Sequence, residues 1–212
     1  MKAAQTAIQK ALCNHPNAHL SIPTPIHLLN RISATLKCSI YIKREDLTGF
    51  ALGGNKIRKL DFLIADAVKQ KADTLITKKT SSFTRNAAAA AKAFNLDLHV
   101  FIPGDERTHN VLSQAVFEQF GTARQCANLL NVQCSCSSLA VDDQFIGEAY
   151  AVPTPQGEKA VKMFADLEGI FLDQVYTGKA ASGMIHYAET GRFNDHHSIL
   201  FIHTGGNAGA YY

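Results

Sequence analysis

The stretch Lys43-Arg44-Glu45-Asp46-Leu47-Thr48-Gly49-Phe50-Ala51-Leu52-Gly53-Gly54-Asn55-Lys56-Ile57-Arg58-Lys59-Leu60 decides the fold of this chain. Residues 39–43 alternate like a strand, Gly53-Gly54 supply a tight turn, and Asn55 reads as the N-cap of a helix. From Ile57 the apolar residues Ile57, Leu60, Leu63, Ile64 and Ala67 fall at helical spacing, so the order is strand, glycine turn, helix. Charge is the anomaly. Lys56, Arg58 and Lys59 crowd the first helical turn, where the macrodipole disfavours each cation by roughly 0.3–1 kcal/mol. A helix start behind a glycine turn binds anions, and added cations strengthen such a site or hold a lysine ready for chemistry. The plain alternative is a basic, solvated first turn after an ordinary β-turn.

Outward from this stretch the same alternation continues. Residues 1–20 read as a weak helix ending near Asn14-His15-Pro16, the prolines of Ile22-Pro23-Thr24-Pro25 force extended chain, and a helix is expected over about 26–36. Residues 73–77 are expected as a short buried strand and 97–102 as the next strand, with a polar loop at 78–84 and an alanine-rich helix over 85–94 between them. The pattern blurs from Arg107 to Ala140. Helices are then expected over about 156–167 and 179–190, and Ser198 to His203 reads as a buried strand running into Thr204-Gly205-Gly206. Strands and helices alternating at this pitch predict an α/β fold with a parallel sheet.

Bulk properties exclude several classes. A chain of 212 residues with a net charge of +3 is too nearly balanced for a nucleic-acid partner. No run approaches the ~18 apolar residues that cross a bilayer, and no secretory signal is visible, so a cytoplasmic protein with no membrane partner is expected. The residues before Glu45 contain no acid, but Arg31 and Arg44 are their only arginines, too few for a transit peptide. The five cysteines lack C-x-x-C spacing and read as free thiols, with no metal site. His196-His197 reads as a solvated turn and His203 as a satisfied core histidine.

Arg44-Glu-Asp-Leu-Thr-Gly followed by Gly53-Gly-Asn-Lys-Ile-Arg-Lys-Leu resembles the lysine motif of the pyridoxal-phosphate enzymes called D-cysteine desulfhydrase and 1-aminocyclopropane-1-carboxylate deaminase. Further segments resemble the same family in the right order: Pro23-Thr-Pro25 before the first helix, Ser81-Ser-Phe-Thr-Arg85, Glu148-Ala-Tyr150-Ala-Val-Pro-Thr-Pro, Asp173-Gln-Val-Tyr176-Thr177-Gly178-Lys179 and His203-Thr204-Gly205-Gly206. The resemblance covers about residues 20–105 and 138–212. It implies a three-layer, parallel-sheet α/β fold of the tryptophan-synthase-β-like type, with a large cofactor-binding domain from residues 1–72 and 141–212 and a truncated small domain from 73–140.

The resemblance implies pyridoxal 5'-phosphate as cofactor, attached to Lys56, with Asn55, Thr204 and Gly205 also binding it. Lys56, Ser81, Tyr150 and Tyr176 would be catalytic. Thr204 would face the pyridine nitrogen as a neutral partner, which moderates the electron sink and suits β-elimination. Thr177 would set specificity, since desulfhydrase-like members read Tyr-Thr-Gly where deaminases read Tyr-Glu-Gly. The implied reaction is breakdown of a small amino acid, foremost D-cysteine to pyruvate, sulfide and ammonia. Deaminase activity, a non-catalytic family remnant and an unrelated phosphate-binding domain stay open as alternatives.

Two departures bear on activity. Ser82 stands where the family has an asparagine on the cofactor's phenolic oxygen, in a shorter loop that carries Lys78 and Lys79. Family members are also substantially longer, and the missing part is expected between about Arg107 and Ala140, where it would include the glycine-rich phosphate loop. Gly104 and Gly121 stand alone there. Impaired turnover is the expectation, and apolar edges left by missing strands leave a homodimer open.

Overall fold

The computed structural model describes residues 15–78, 81–101, 142–193 and 198–206. Their order is β1 (Ile26–Leu28), α1 (Asn30–Leu36), β2 (Ser39–Arg44), a 3-10 turn (Glu45–Leu47), α2 (Ile57–Lys69), β3 (Thr74–Lys78), α3 (Ser81–Ala93), β4 (Asp97–Phe101), α4 (Pro155–Glu168), α5 (Thr177–Glu189) and β5 (Ser198–His203). One sheet runs β1-β2-β5, with β1 antiparallel to β2 and β2 parallel to β5 in the register Ile42 to Phe201 and Arg44 to His203. β3 and β4 form a second, parallel pair.

Each sheet buries one face against helices. Alternation along β2 and β5 turns Ile40, Ile42, Phe201 and His203 inward, where they meet Ala160 and Phe164 of α4 and Ala181, Met184 and Ile185 of α5. Phe164 is fully buried with its ring 5.4 Å from that of Phe201, so α4 is fastened to β5 at the middle of this core. A second core joins Leu60 and Ile64 of α2 to Ala87 and Ala90 of α3, with Leu75 and Leu98 from the strands beneath. The alanines let α3 lie close, and Arg85 Nε donates to the Ala51 carbonyl at 3.2 Å, tying α3 to the loop that precedes the glycine turn. The lysine-bearing helix therefore packs with the second sheet while its first residues meet the first.

Several local expectations need correction. The helix expected over 26–36 begins instead as strand β1 and turns helical only at Asn30; the Pro25 carbonyl receives the Arg44 N–H, and Leu29 N–H goes to Ile40, so pairing with β2 overrides helical spacing. α3 starts at Ser81, four residues earlier than expected. Neither β3 nor β5 is wholly buried: Ile76, Leu200 and Ile202 are exposed, as are Phe101 of β4 beside β3 and Ile26 and Tyr41 in the first sheet. Parallel sheets are ordinarily covered on both faces. Among the described residues, each sheet here is covered on one. The expectations for residues 1–14, for 102–141 and for His196-His197 lie outside the described residues.

A polar clamp fixes the entry to α2. The buried Asp61 carboxylate accepts the Leu20 N–H at 2.5 Å and the Ser21 hydroxyl, strapping residues 18–21 over the helix. One turn earlier Arg58 grips the buried Glu45 carboxylate through Nε and, at 2.9 Å, through a second guanidinium nitrogen, while the Thr24 hydroxyl donates to the same carboxylate at 2.6 Å. The Arg58 hydrogen bonds hold the Glu45 carboxyl down to about 2, against burial pushing the other way. A carboxyl depressed in the folded state stabilises the fold fully above its ordinary value of 4.5, and that contribution is lost as pH falls through about 2. Glu45→Gln should therefore lower stability at neutral pH by roughly 1.5–3 kcal/mol and flatten the fall in stability between those two pH values. Thermal melts of both proteins across that range check it, and parallel curves would refute the assignment.

Candidate active site

β2 and β5 run parallel, so their C-terminal ends lie together, the usual side for a ligand on an α/β sheet. From that edge the chain leaves twice, as Glu45 onward and as Thr204-Gly205-Gly206. The two segments meet again at the glycine turn. Asn55 N–H donates to the Thr204 carbonyl at 2.9 Å, and a Cβ on Gly205 would lie 2.8 Å from Gly54 Cα. Gly205 has φ +122° and Gly54 φ +107°, a region side chains rarely adopt. Glycine at both places is what allows backbone to touch backbone there.

This contact brings three expected cofactor residues onto one ledge. Lys56 immediately precedes α2 in helical geometry, and the N-cap position is its own, with no side-chain cap. Asn55 is thus not the cap expected from the sequence; its N–H is taken by Thr204. Among the described residues the Lys56 amine, the Asn55 carboxamide and the Thr204 hydroxyl have no hydrogen-bond or ion-pair partner, and all three residues are half-buried. Of the crowded cations, Arg58 belongs to the Glu45 clamp and Lys59 is exposed. Lys56 is left as the half-buried cation of the three without a partner among the described residues.

The same ledge continues to the tyrosines. A Cβ on Gly206 would lie 2.4 Å from Asp173 Oδ2, so the terminal turn sits directly on that buried carboxylate. Asp173 accepts the N–H groups of Val175 (2.8 Å), Tyr176 (2.6 Å) and Thr177 (3.1 Å) and the Thr177 hydroxyl (2.6 Å), satisfying the start of α5. Tyr176 projects from this anchored turn, and its hydroxyl lies 2.5 Å from that of Tyr150 with the rings near edge-on, centroids 6.0 Å apart. Both tyrosines are exposed, Tyr150 at 72% and Tyr176 at 49%. The bond to Tyr176, with burial and the Asp173 charge behind it, pushes the Tyr150 phenol up to about 12.

Thr177 stands apart from this pair. It is 2% exposed, and its hydroxyl is spent on Asp173 as donor and on the Asp173 N–H as acceptor. Ser81 opens α3, at the far end of β3 from the first sheet's ledge in sequence. His203 is fully buried with Nε2 at 3.1 Å from the Phe171 carbonyl, so that nitrogen carries the proton, and Nδ1 faces the Gly205 N–H at 3.4 Å. Burial holds its pKa below the ordinary value despite Asp46 nearby. It shapes the Thr204-Gly205 turn as a neutral core histidine.

Asp173, Glu45 and Lys179 were not singled out by sequence reasoning, although each supports a site residue. Asp173 was legible in principle: an Asp with Thr four residues on, ahead of a helix, is a capping arrangement. No group of metal-binding side chains occurs among the described residues, and no described helix is long and apolar enough to cross a membrane.

A profile of the family described as pyridoxal-phosphate dependent enzyme matches residues 19–122. D-cysteine desulfhydrase of Salmonella choleraesuis (strain SC-B67) is 28% identical over 303 aligned positions that cover 88% of this chain and 92% of that one, and D-cysteine desulfhydrase of Salmonella paratyphi C (strain RKS4594) matches to the same extent. Since this chain has 212 residues, those relatives contain internal stretches with no counterpart here. Among solved structures, one described as an ACC deaminase homologue superposes with TM-score 0.75 at 22% identity, covering 96% of this chain and 95% of that one. The processed form of threonine deaminase isoform 2 from Solanum lycopersicum gives TM-score 0.60 at 13% identity over 96% of this chain and 84% of the other. Motif order, profile, relatives and fold agree: the chain belongs, in shortened form, to the pyridoxal-phosphate-dependent enzymes of tryptophan-synthase-β-like fold, in the family of D-cysteine desulfhydrase and 1-aminocyclopropane-1-carboxylate deaminase.

Proposed function

We propose that the chain carries out β-elimination on a small amino acid, D-cysteine foremost, giving pyruvate, sulfide and ammonia. The observation that carries this reading is the backbone contact of Gly54 with Gly205, which sets Lys56 and Asn55 beside Thr204 with their side-chain polar groups unpartnered among the described residues. These groups fit pyridoxal phosphate: an amine for its aldehyde, and neutral polar groups for its ring substituents, beside glycines that leave room for a flat ring. Lys56 would hold it, Asn55 and Thr204 would orient it, and Gly205 would admit it.

When bound, that cofactor withdraws electrons from the carbon bearing the substrate amine and so acidifies its hydrogen. Lys56, freed by the substrate, would remove this proton. The Tyr150 phenol, pushed up to about 12, stays protonated at neutral pH and so acts as donor. Paired with Tyr176, it would hydrogen-bond or protonate the departing sulfur. Ser81, at the start of α3, would be a further proton-handling residue.

Thr177 supports D-cysteine over the cyclopropane substrate in an indirect way. Its hydroxyl satisfies Asp173, and a glutamate in its place would set a second carboxylate beside that buried one. The proposal includes a large unit from residues 1–72 and 141–212 and a shortened one from 73–140, with α2 of the first packed in one core with α3 of the second. A cytoplasmic homodimer, in which the bare apolar faces are covered, belongs to the same reading. The sequence supports one rival: with no glycine-rich phosphate nest, a non-catalytic remnant would keep this scaffold. Each charge-assisted phosphate bond lost weakens binding by roughly 1.5–3 kcal/mol, so losing two raises the cofactor Kd at least about a hundredfold.

Incubation with pyridoxal phosphate, borohydride reduction and peptide mapping should label Lys56, and Lys56→Ala should lose the label. Labelling spread over surface lysines would favour the remnant. Sulfide release should be faster from D-cysteine than from L-cysteine and fall to background in Lys56→Ala, at saturating cofactor. Ammonia from 1-aminocyclopropane-1-carboxylate without sulfide from D-cysteine would overturn the role given to Thr177.

A further inference from the structure

Lys179 is the third residue of α5 and only 7% exposed. Neither place suits an ammonium. The first turn of a helix repels cations, and burial strips an ion of hydration at a cost of several kcal/mol. No carboxylate pairs with it among the described residues. Its Nζ instead donates to the Ile146 carbonyl at 2.6 Å and reaches that of Ala149 at 3.4 Å.

Those carbonyls belong to the segment that ends in Tyr150, which has no helix or strand to hold it. Phe145 fastens its start: the ring sits where a Cβ on Gly183 would lie 3.0 Å away, and it meets the rings of His186 and Tyr187 on the same helix. Gly147, at φ +75°, passes so near Thr154 that a Cβ would lie 2.4 Å from its methyl group. α4 and α5 cross closely here, since a Cβ on Gly178 would lie 2.7 Å from a Val161 methyl. The segment rests on α5 at Phe145 and on the Lys179 amine just before Tyr150.

We propose that Lys179 is a positioning residue whose buried ammonium holds the Ile146 and Ala149 carbonyls and thereby sets the Tyr150 hydroxyl against that of Tyr176. The catalytic meaning of that pairing rests on the function proposed above. The geometry itself needs no cofactor. The groups acting on the Tyr150 phenol are Tyr176, from the turn before α5, and Asp173 beneath it. Two effects of removing Lys179 have opposite signs. Loss of a nearby positive charge would raise the phenol further, whereas loss of position breaks the bond to Tyr176 and lets it fall towards the ordinary 10.

With six tyrosines and no tryptophan, phenolate absorbance of the cofactor-free protein reports these groups cleanly, and Tyr150→Phe identifies the Tyr150 step. In Lys179→Met that step should move from about 12 towards 10 while circular dichroism shows a folded chain. A folded Lys179→Met with an unmoved or raised midpoint overturns the proposal. Where Lys179→Met does not fold, Gly147→Ala replaces it, because it crowds the same segment and leaves Lys179 and α5 intact. A lowered Tyr150 midpoint there supports the proposal, and an unmoved one overturns it. Lys56 labelling is a separate measurement, so a shifted midpoint without labelled Lys56 would retain the positioning role and remove the enzymatic reading.

Discussion

The contact of Gly54 with Gly205 is the constraint on which the site depends. One hydrogen bond, from Asn55 to the Thr204 carbonyl, joins the start of the lysine helix to the end of the last described strand. Any side chain at Gly205 would drive the two apart, since its first carbon would already overlap the Gly54 backbone. Lys56 and Thr204 come from distant parts of the chain. Only backbone-to-backbone approach at this point brings them onto one ledge, and the parallel pairing of β2 with β5 delivers both segments to the same edge.

Support beneath the ledge is ionic and buried. Glu45 and Arg58 secure the lysine helix from one side, and Asp173 secures the tyrosine turn from the other. Charged groups in such places are costly to desolvate, and a pair is worth little net stability compared with apolar packing. What they supply is geometry. Asp173 accepts four hydrogen bonds at the start of α5 and also bears on Gly206, so the tyrosine turn and the threonine turn share one anchor.

The strand, glycine turn and helix around Lys56 were legible because periodicity changes from two to 3.6 across Gly53-Gly54 and the turn residues admit little else. The strand Ile26–Leu28 was not, because Ile-His-Leu-Leu fits helical and extended spacing equally, and only pairing with β2 decides between them. Burial of β3 and β5 was overcalled for a related reason. An apolar run reads as buried on both sides, but whether both faces are covered depends on how many layers the chain can build, and this one is far shorter than its relatives. Asn55 looked like a cap, yet its N–H bonds to a residue at the other end of the chain, which no local pattern encodes. Lys179 was invisible as a functional residue: a lysine in a first turn is normally solvated, and its burial follows from α4 crossing over it.

On the proposed function, the layout also separates the groups that would bind a cofactor from those that would move protons. Lys56, Thr204, Tyr150 and Tyr176 are held by the first sheet, its edge and α5, all of which persist in the shortened chain. The glycine-rich phosphate nest implied by the resemblance belongs to the stretch that the sequence lacks. A loss confined to that nest removes binding energy common to ground state and transition state, so it raises the cofactor concentration needed without altering the groups that move protons. Under that condition affinity falls and the chemistry at saturation does not. On the proposed function the shortening would bear first on occupancy of the Lys56 ledge, and only through occupancy on turnover.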